Sequence, residues 1–381
     1  MKITKQVWLN LALLSVSAGL SVLLGEWGAR MALNPADYLS LEVVSDPILG
    51  GVPSPSTRGG FDDWGFRNPS VPERADVVAI GDSHTFGNTA RMKDSWPIVA
   101  GEMTGLKIYN MGFGGYGPNQ YSHLFETKAL KLHPKTVVVG LYMGDDFENA
   151  FLITYGLEHW ARLRAIAPGE VKYDIWEAPD ESGFAKGLRV WLSRHSVLYK
   201  LVFHGPLAGL IRGQVLVTKA TEIYDDATVL DIPEKNIAEA FLPKGIAKRL
   251  NQDDPSVQEG MRITFLLLKE MNEKCHAAGC ELMVTVIPTK EMVFADYFAD
   301  RPTLPMAEVV KGLLHNETIA REKLFTFLQQ EGIPSVDTLP ALRAGVSNQL
   351  YARTAADMHP GANGYRVIAT AVADALKQRV R

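Results

Sequence analysis

Val77-Val78-Ala79-Ile80 runs without a polar residue into Gly81-Asp82-Ser83-His84. A strand with one wet face alternates apolar and polar side chains. This one does not, so both of its faces are buried. Thr136-Val137-Val138-Val139-Gly140-Leu141 repeats the pattern over a longer, β-branched run. Such strands belong to a parallel sheet with helices on both sides and right-handed crossovers, the α/β class. The abrupt polar end of the first run matters as much. A residue just past the carboxyl end of a strand sits where open α/β sheets bind ligands. A serine there can act as a nucleophile if a base lies beside it.

Three further apolar runs read as strands: Lys107 to Asn110, Leu282 to Ile287 and Ile333 to Val336. Helical patterns fall between them. One starts at Asp254-Pro255, an N-cap followed by proline at the first helical position. It carries Ile263, Leu266, Leu267 and Met271 on one side, and Gly279 stops it. Another, Gly361 to Gln378, closes the chain with Val367, Ile368, Ala371, Val372 and Leu376 facing inward. Residues 151–253 break the rhythm. Trp160, Tyr155, Tyr173, Trp176, Trp191, Tyr199 and Phe203 are scattered through them. The stretch is too long for a plain loop, so it reads as a mostly helical insertion above the carboxyl edge of the sheet. It serves there either as a lid or as packing.

The amino-terminal segment is a different kind of sequence. Lys2 and Lys5 precede an uncharged run, residues 6–25, rich in leucine and valine, and Glu26 and Arg30 follow it. About 20 residues at ~1.5 Å each span the ~30 Å hydrocarbon core of a bilayer. The reading is a retained single-pass anchor of the inner membrane, with the lysines inside and the remainder exported to the periplasm. A cleaved signal peptide and a buried core helix are the alternatives. Residues 31–70 carry many Pro, Gly and Ser and read as an irregular linker. Within them, Asp63-Trp64-Gly65-Phe66-Arg67-Asn68 reads as packing, against a sheet edge or beside the active site. Residues 71–381 are then the catalytic domain.

Net charge −4 removes any broad basic field for nucleic acid. Cys275 and Cys280 read as two free, partly buried thiols, in preference to a bridge. No CxxC pair or histidine cluster calls for a metal. No phosphate loop supports a flavin or other cofactor.

Acyl transfer at an ester needs a nucleophile, a base, a group orienting the base, and donors for the oxyanion. Ser83 is the candidate nucleophile. Asp357-Met358-His359-Pro360 offers His359 as the base, with Asp357 to hold it, on a loop before the last helix. Gly112-Phe113-Gly114-Gly115-Tyr116-Gly117 follows the second strand and can expose backbone N–H groups. Gly144-Asp145-Asp146 follows the third. Lys290, after the fourth strand, is a candidate for holding an anionic or polar substrate group, with a solvated lysine as the bland alternative. Tyr351 is a candidate wall of the site. His133, His195 and Glu148 read as structural or surface groups.

With these four blocks in order, the chain resembles the SGNH (GDSL-like) hydrolase superfamily, over roughly residues 72–150 and 280–380. The resemblance implies a three-layer α/β/α sandwich with a parallel five-stranded flavodoxin-like sheet. It implies Ser83, His359 and Asp357 as the triad. Ser83, Gly115 and the Asp145 position would form the oxyanion hole. Asp146, next in the chain, is like Lys290 a candidate substrate contact. His84 stands where many members have Leu. The family's oxyanion asparagine is Asp145 here, and its Asp-x-x-His is shortened to Asp-x-His, with Ala356 at the older position. Membrane-tethered relatives that O-acetylate exopolysaccharides share Asp-x-His. The implied substrate is an acylated envelope or exported polysaccharide, or a small acyl ester. The implied chemistry is hydrolysis or O-acetyl transfer, and the contrasting reading is a degenerate, non-catalytic polysaccharide-binding scaffold.

Overall fold

The computed structural model describes residues 5–54, 60–167, 183–203, 217, 220–351 and 357–379. Lys2, Tyr173, Trp176 and Ala356 lie outside the described residues. In chain order, helix α1 (Lys5–Ala32) precedes β1 (Val43–Asp46), β2 (Gly50–Pro53), β3 (Val77–Gly81), the one-turn helix α2 (Ser83–Phe86) and α3 (Trp96–Thr104). Then come β4 (Ile108–Gly112), α4 (Pro118–Thr127), β5 (Thr136–Tyr142), α5 (Asp146–Gly156), α6 (Phe184–His195) and α7 (Val197–Phe203). Next are β6 (Thr228–Ile232), β7 (Ile237–Phe241), α8 (Pro243–Arg249), α9 (Pro255–Ala277) and β8 (Glu281–Ile287). The last elements are α10 (Lys290–Val293), α11 (Ala307–Gln330), β9 (Ser335–Asp337), α12 (Leu339–Ala344) and α13 (Ala362–Arg379).

Two compact units divide the chain. One comprises Met1–Glu42, Ser56–Phe61 and Pro179–Gln214; the other comprises Val43–Pro55, Asp62–Ala178 and Val215–Arg381. In the first, α1 contains an apolar stretch from Gln6 to Ala32, with mean hydropathy 2.0 and none of its most apolar window buried. It is long and apolar enough to cross a membrane.

The second unit is built on a five-stranded sheet in the order β4-β3-β5-β8-β9, every pair parallel. Renumbered within the sheet this is 2-1-3-4-5, the flavodoxin-like order, and its switch point falls between β3 and β5. Every residue of β3 and of β5 is buried, as their unbroken apolar runs require. One face of the sheet carries α3 and α13. There Trp96, Val99, Ile368, Val372 and Leu376 pack on Val77, Ala79 and Val138. Burying each such aliphatic side chain contributes roughly 1.5–3 kcal/mol. Helices α4, α5, α9 and α11 cover the other face. Ile153 of α5 meets Ile263 and Leu267 of α9, and Phe265 of α9 stacks on Phe327 of α11. The sandwich has three layers, α/β/α.

Two expectations need correction and a third needs an addition. Residues 31–70 are not uniformly irregular: β1 and β2 form an antiparallel hairpin. The Asp62–Asn68 turn covers the sheet edge, because Asn68 exchanges hydrogen bonds with the backbone of Asn110 on edge strand β4. The stretch 151–253 is mostly helical among its described residues, as expected, but not wholly so. It contains the antiparallel hairpin β6–β7, whose Leu230, Ile232, Ile237 and Phe241 join the main core. Only β6 alternates in burial, and β7 buries the charged Glu239 at a position where the sequence gives no apolar signal. Finally, Cys275 and Cys280 form a disulfide. The chain folds back at the end of α9, where the Cys280 amide donates to the Cys275 carbonyl at 2.9 Å. That turn brings the two Cα atoms to 4.9 Å, within bonding range.

Candidate active site

Three glycines lie side by side across the sheet: Gly81 of β3 is in register with Gly112 of β4 and Gly140 of β5. Helix α2 rests on this row. A Cβ on Gly81 would come within 2.1 Å of Thr85 Oγ1, and one on Gly112 within 2.2 Å of the Phe86 amide. The missing side chains let the chain leave β3 and turn at once into α2. Asp82 caps that helix, its carboxylate accepting from the His84 amide at 2.9 Å. Ser83 is thereby fixed at the carboxyl end of β3, at the switch point of the sheet.

The loop before α13 arrives at the same edge. His359 Nε2 lies 2.8 Å from Ser83 Oγ, and His359 Nδ1 lies 2.8 Å from Asp357 Oδ1. Asp357 also accepts from the His359 amide at 2.9 Å, which fixes the ring through two contacts to one oxygen. With Nδ1–H donated to Asp357, Nε2 is the acceptor that faces the serine hydroxyl. Burial pushes the Asp357 carboxyl up. The hydrogen bonds from His359, the charge of that ring and that of Lys290 outweigh it and hold Asp357 below its ordinary range.

A second imidazole stands beside the first. His84 is buried, its Nδ1 lies 3.0 Å from Asp82 Oδ2, and its ring stacks on Tyr142 at 3.8 Å. The rings of His84 and His359 are 4.8 Å apart. Burial lowers the His84 pKa more than the Asp82 charge raises it, so the ring is held neutral. The sequence reading missed this pair, although Asp82-Ser83-His84 spells the same Asp-x-His as the distal loop.

The glycine loop after β4 reaches the serine at Gly114, where an added Cβ would lie 3.9 Å from Ser83 Cβ. Gly115 follows with φ +79°, a left-handed conformation that suits glycine. Across the site, Asp82, Asp145 and Asp146 each place a carboxylate oxygen within 4.8 Å of the others. That spacing can hold a cation, but most of the oxygens are already engaged. Asp146 accepts from the Tyr121 hydroxyl at 2.8 Å and the Tyr142 amide at 2.9 Å. Asp82 serves His84 and, at 3.3 Å, Ser83. Asp145 Oδ1 is buried with no hydrogen-bond partner among the described residues. Burial, then the neighbouring Asp82 charge, push the Asp145 carboxyl up to about 8, against the pull of Arg249. The same two causes and Asp145 itself raise Asp146 well above the carboxylate range. Asp145 therefore reads as a carboxyl that keeps its proton at neutral pH, beside an Asp146 shifted in the same direction.

Two expected substrate contacts are placed elsewhere. Asp146 is fully buried and both its oxygens are bonded to the frame, so it holds α5 to β5 instead of facing a substrate. Lys290 is neither solvated nor open to a ligand. It is 2% exposed, its Nζ lies 2.7 Å from the Glu239 carboxylate of β7, and it donates to the Ala240 carbonyl. It also donates to the Asp357 carbonyl at 3.3 Å, between the rings of Phe241 and Tyr351. Tyr351 is buried against this ammonium and is a wall of the lysine, not of the serine. No sequence signal pairs Lys290 with Glu239, since the hairpin carrying Glu239 was itself unseen.

Residues 249–381 match a family model described as the SGNH hydrolase-like domain of the acetyltransferase AlgX. The match bears out the resemblance at the Asp357-Met358-His359 block; the blocks at Ser83, the glycine loop and Asp145 lie outside the matched residues. No curated protein matches the chain. Among solved structures, it is similar to a putative lipolytic protein of the G-D-S-L family from Desulfitobacterium hafniense. That likeness has 13% identity, covers 78% of this chain and 97% of the other, and has a TM-score of 0.39. A putative acylhydrolase from Bacteroides fragilis is similar at 14% identity, over 81% and 92% of the two chains, with a TM-score of 0.36. An acetylxylan esterase from Geobacillus stearothermophilus is similar at 9% identity, over 79% and 94%, with a TM-score of 0.35. At these scores the likenesses carry no argument about chemistry.

Proposed function

We propose that this chain is a serine-dependent acyl-ester hydrolase of SGNH type, acting outside the cytoplasm on O-acyl groups of envelope or exported polysaccharide. The observation that carries the reading is the 2.8 Å contact between Ser83 Oγ and His359 Nε2, made by residues 276 positions apart. The Ser83 hydroxyl gives its proton to His359 as its oxygen bonds the acyl carbon. The imidazolium, held by Asp357, returns that proton to the leaving alcohol as the ester C–O bond breaks. Water then attacks the acyl-serine, losing its proton to His359, which gives it to Ser83 Oγ as the bond from that oxygen to the acyl carbon breaks and the free acid leaves. Transfer to a sugar hydroxyl uses the same steps with the sugar in place of water. This second reading, a polysaccharide O-acetyltransferase, is favoured by the matched family's description.

Amides of Ser83 and Gly115 are the proposed oxyanion donors, with Asp145 as the third. A carboxylate would repel the developing charge. A carboxyl that holds its proton up to about pH 8 donates to it, as the family's asparagine would. Helix α1 as a retained anchor gives the location: one pass through the inner membrane, with the rest of the chain in the periplasm. The test uses the full chain in detergent with p-nitrophenyl acetate and a fluorophosphonate probe. Release of nitrophenol and labelling of Ser83, both lost in Ser83→Ala, support the reading. Polysaccharide binding without turnover or labelling would favour the scaffold reading instead.

A further inference from the structure

The exposed faces of the first unit are not arranged as an ordinary water-facing surface. None of the side chains of α6 is buried. Phe184, Leu188 and Trp191 fall at i, i+4 and i+7, one face of the helix, and are 87%, 43% and 55% exposed. By the same spacing Lys186 and Arg189 lie on the opposite side. A row of large apolar groups backed by cations is the pattern of a helix lying in a membrane surface.

Where α6 sits along α1 supplies the second observation. The turn between α6 and α7 is clamped just past the uncharged part of α1, residues 6–25. Glu26 accepts from Ser196 Oγ at 2.8 Å and from the Val197 and Leu198 amides at 3.0 Å. Arg30 donates to the His195 carbonyl at 2.6 Å. A Cβ on Gly25 would touch Leu198 Cδ2 at 3.1 Å. Glu26 to Arg30 span about 6 Å along a helix, and a headgroup layer is about 5–7 Å thick on each side of the hydrocarbon. Trp8 and Trp27, 61% and 65% exposed, bracket the run as interfacial aromatics do. The clamp therefore fixes α6 at the depth where the chain would leave the bilayer.

We infer that α6 lies in the boundary between headgroups and acyl chains of the bilayer that α1 crosses, with Phe184, Leu188 and Trp191 turned into lipid. This rests on α1 as a retained anchor, a part of the functional proposal. The full chain, in nanodiscs of phosphatidylethanolamine and phosphatidylglycerol, tests it. The two cysteines are bonded to each other, so one introduced cysteine gives one spin label. Labels go on Leu188→Cys, Phe184→Cys, Arg189→Cys and, as the reference for the anchor, Leu14→Cys. The expected result is that labels at 184, 188 and 14 collide severalfold more with oxygen than with a water-soluble nickel chelate. The label at 189 shows the reverse. Nickel-favoured collisions at both 188 and 189, with 14 still in lipid, would overturn the inference and leave the anchor standing. Labels at 184 and 188 shielded from both reagents would overturn it in favour of a protein partner or a second copy. A nickel-accessible or proteolytically lost label at 14 would remove the anchor and the inference together.

Discussion

Asp82-Ser83-His84 and Asp357-Met358-His359 make the same local structure twice, on two sides of one hydroxyl. In each, the carboxylate accepts from the backbone amide two residues on, at 2.9 Å, and meets Nδ1 of the same histidine, at 3.0 and 2.8 Å. What differs is the setting. The first pair is sealed, with side chains 2% and 1% exposed and the His84 ring flat on Tyr142. The second is partly open, at 18% and 32%, and turns Nε2 to Ser83. The pattern fixes a ring's tilt and tautomer; burial and direction decide whether that ring can trade protons. A sealed imidazole is held neutral by desolvation, whereas one at the rim can become an imidazolium beside its carboxylate.

The strongest way to break this contrast is to remove each ring in turn. His359→Ala and Ser83→Ala are each expected to lower acetyl-ester turnover by at least about 10³-fold, as loss of a triad member does. His84→Ala should cost about tenfold or less. Equal losses in His84→Ala and His359→Ala, measured as kcat/KM with p-nitrophenyl acetate, would mean that the buried pair shares the chemistry.

Next comes the frame of the open pair. The loop bearing Asp357 is held from below by Lys290, which is itself neutralised by Glu239. Removing one partner of a buried ion pair costs about 3–5 kcal/mol. Lys290→Met should therefore lower unfolding free energy by that order, read by urea denaturation. Lys290→Met combined with Glu239→Leu should recover much of the stability. If the open pair depends on this strut, kcat stays low in the recovered double variant. Full recovery of kcat would show that the loop holds His359 unaided.

Asp145 sharpens the comparison from the third side of the site. Asp145→Ala is expected to cost about 10²–10³ in kcat, the usual loss for one oxyanion donor. Asp145→Asn should keep activity within a few-fold at pH 7. The sign with pH is set by the raised carboxyl. The native chain keeps this proton up to about 8, where an ordinary aspartate has lost it near 3.8. The donor is present below that value and lost above it, so activity should fall as pH rises past 8, and Asp145→Asn should remove that limb. Stability follows the same direction: a group that binds its proton more tightly when folded loses stabilisation as pH rises through the window between the two values. Thermal unfolding of Asp145→Asn should vary less between pH 5 and 9 than that of the native chain.

The parts of this site that were legible in the sequence are those written in local pattern. The unbroken apolar runs gave β3 and β5, and the small residues after them gave the edge where Ser83, the glycine loop and Asp145 meet. The Asp-x-His signature picked out His359 across 276 positions because its geometry is made within three residues. Lys290 and Asp146 were misplaced because their partners are distant in the chain. A lysine after a strand looks solvated until a glutamate from an unsuspected hairpin lies on it. The β6–β7 hairpin escaped because its two strands are short and each interrupts its apolar pattern with one acidic residue. The disulfide depended on a turn geometry that C-x4-C spacing leaves open.

The smallest expected effect tests what the sealed pair is for. The resembled family often carries Leu where this chain has His84, so His84→Leu fits by shape and removes one polar contact. Asp82 keeps its hydrogen bonds from the His84-position amide and from Ser83, so it is not left bare. The loss should be that of one buried hydrogen bond, about 0.5–1.5 kcal/mol, partly offset by apolar packing on Tyr142. If His84 is only a strut, fluorophosphonate labelling of Ser83 stays within a few-fold at every pH. If it also orients the open pair, labelling falls by more than that at every pH, because its ring lies 4.8 Å from that of His359. A neutral neighbour leaves the acidic limb of the labelling profile where it was when it is replaced. A move of that limb to higher pH would mean that His84 carries positive charge, and would contradict the reading of it as a neutral neighbour.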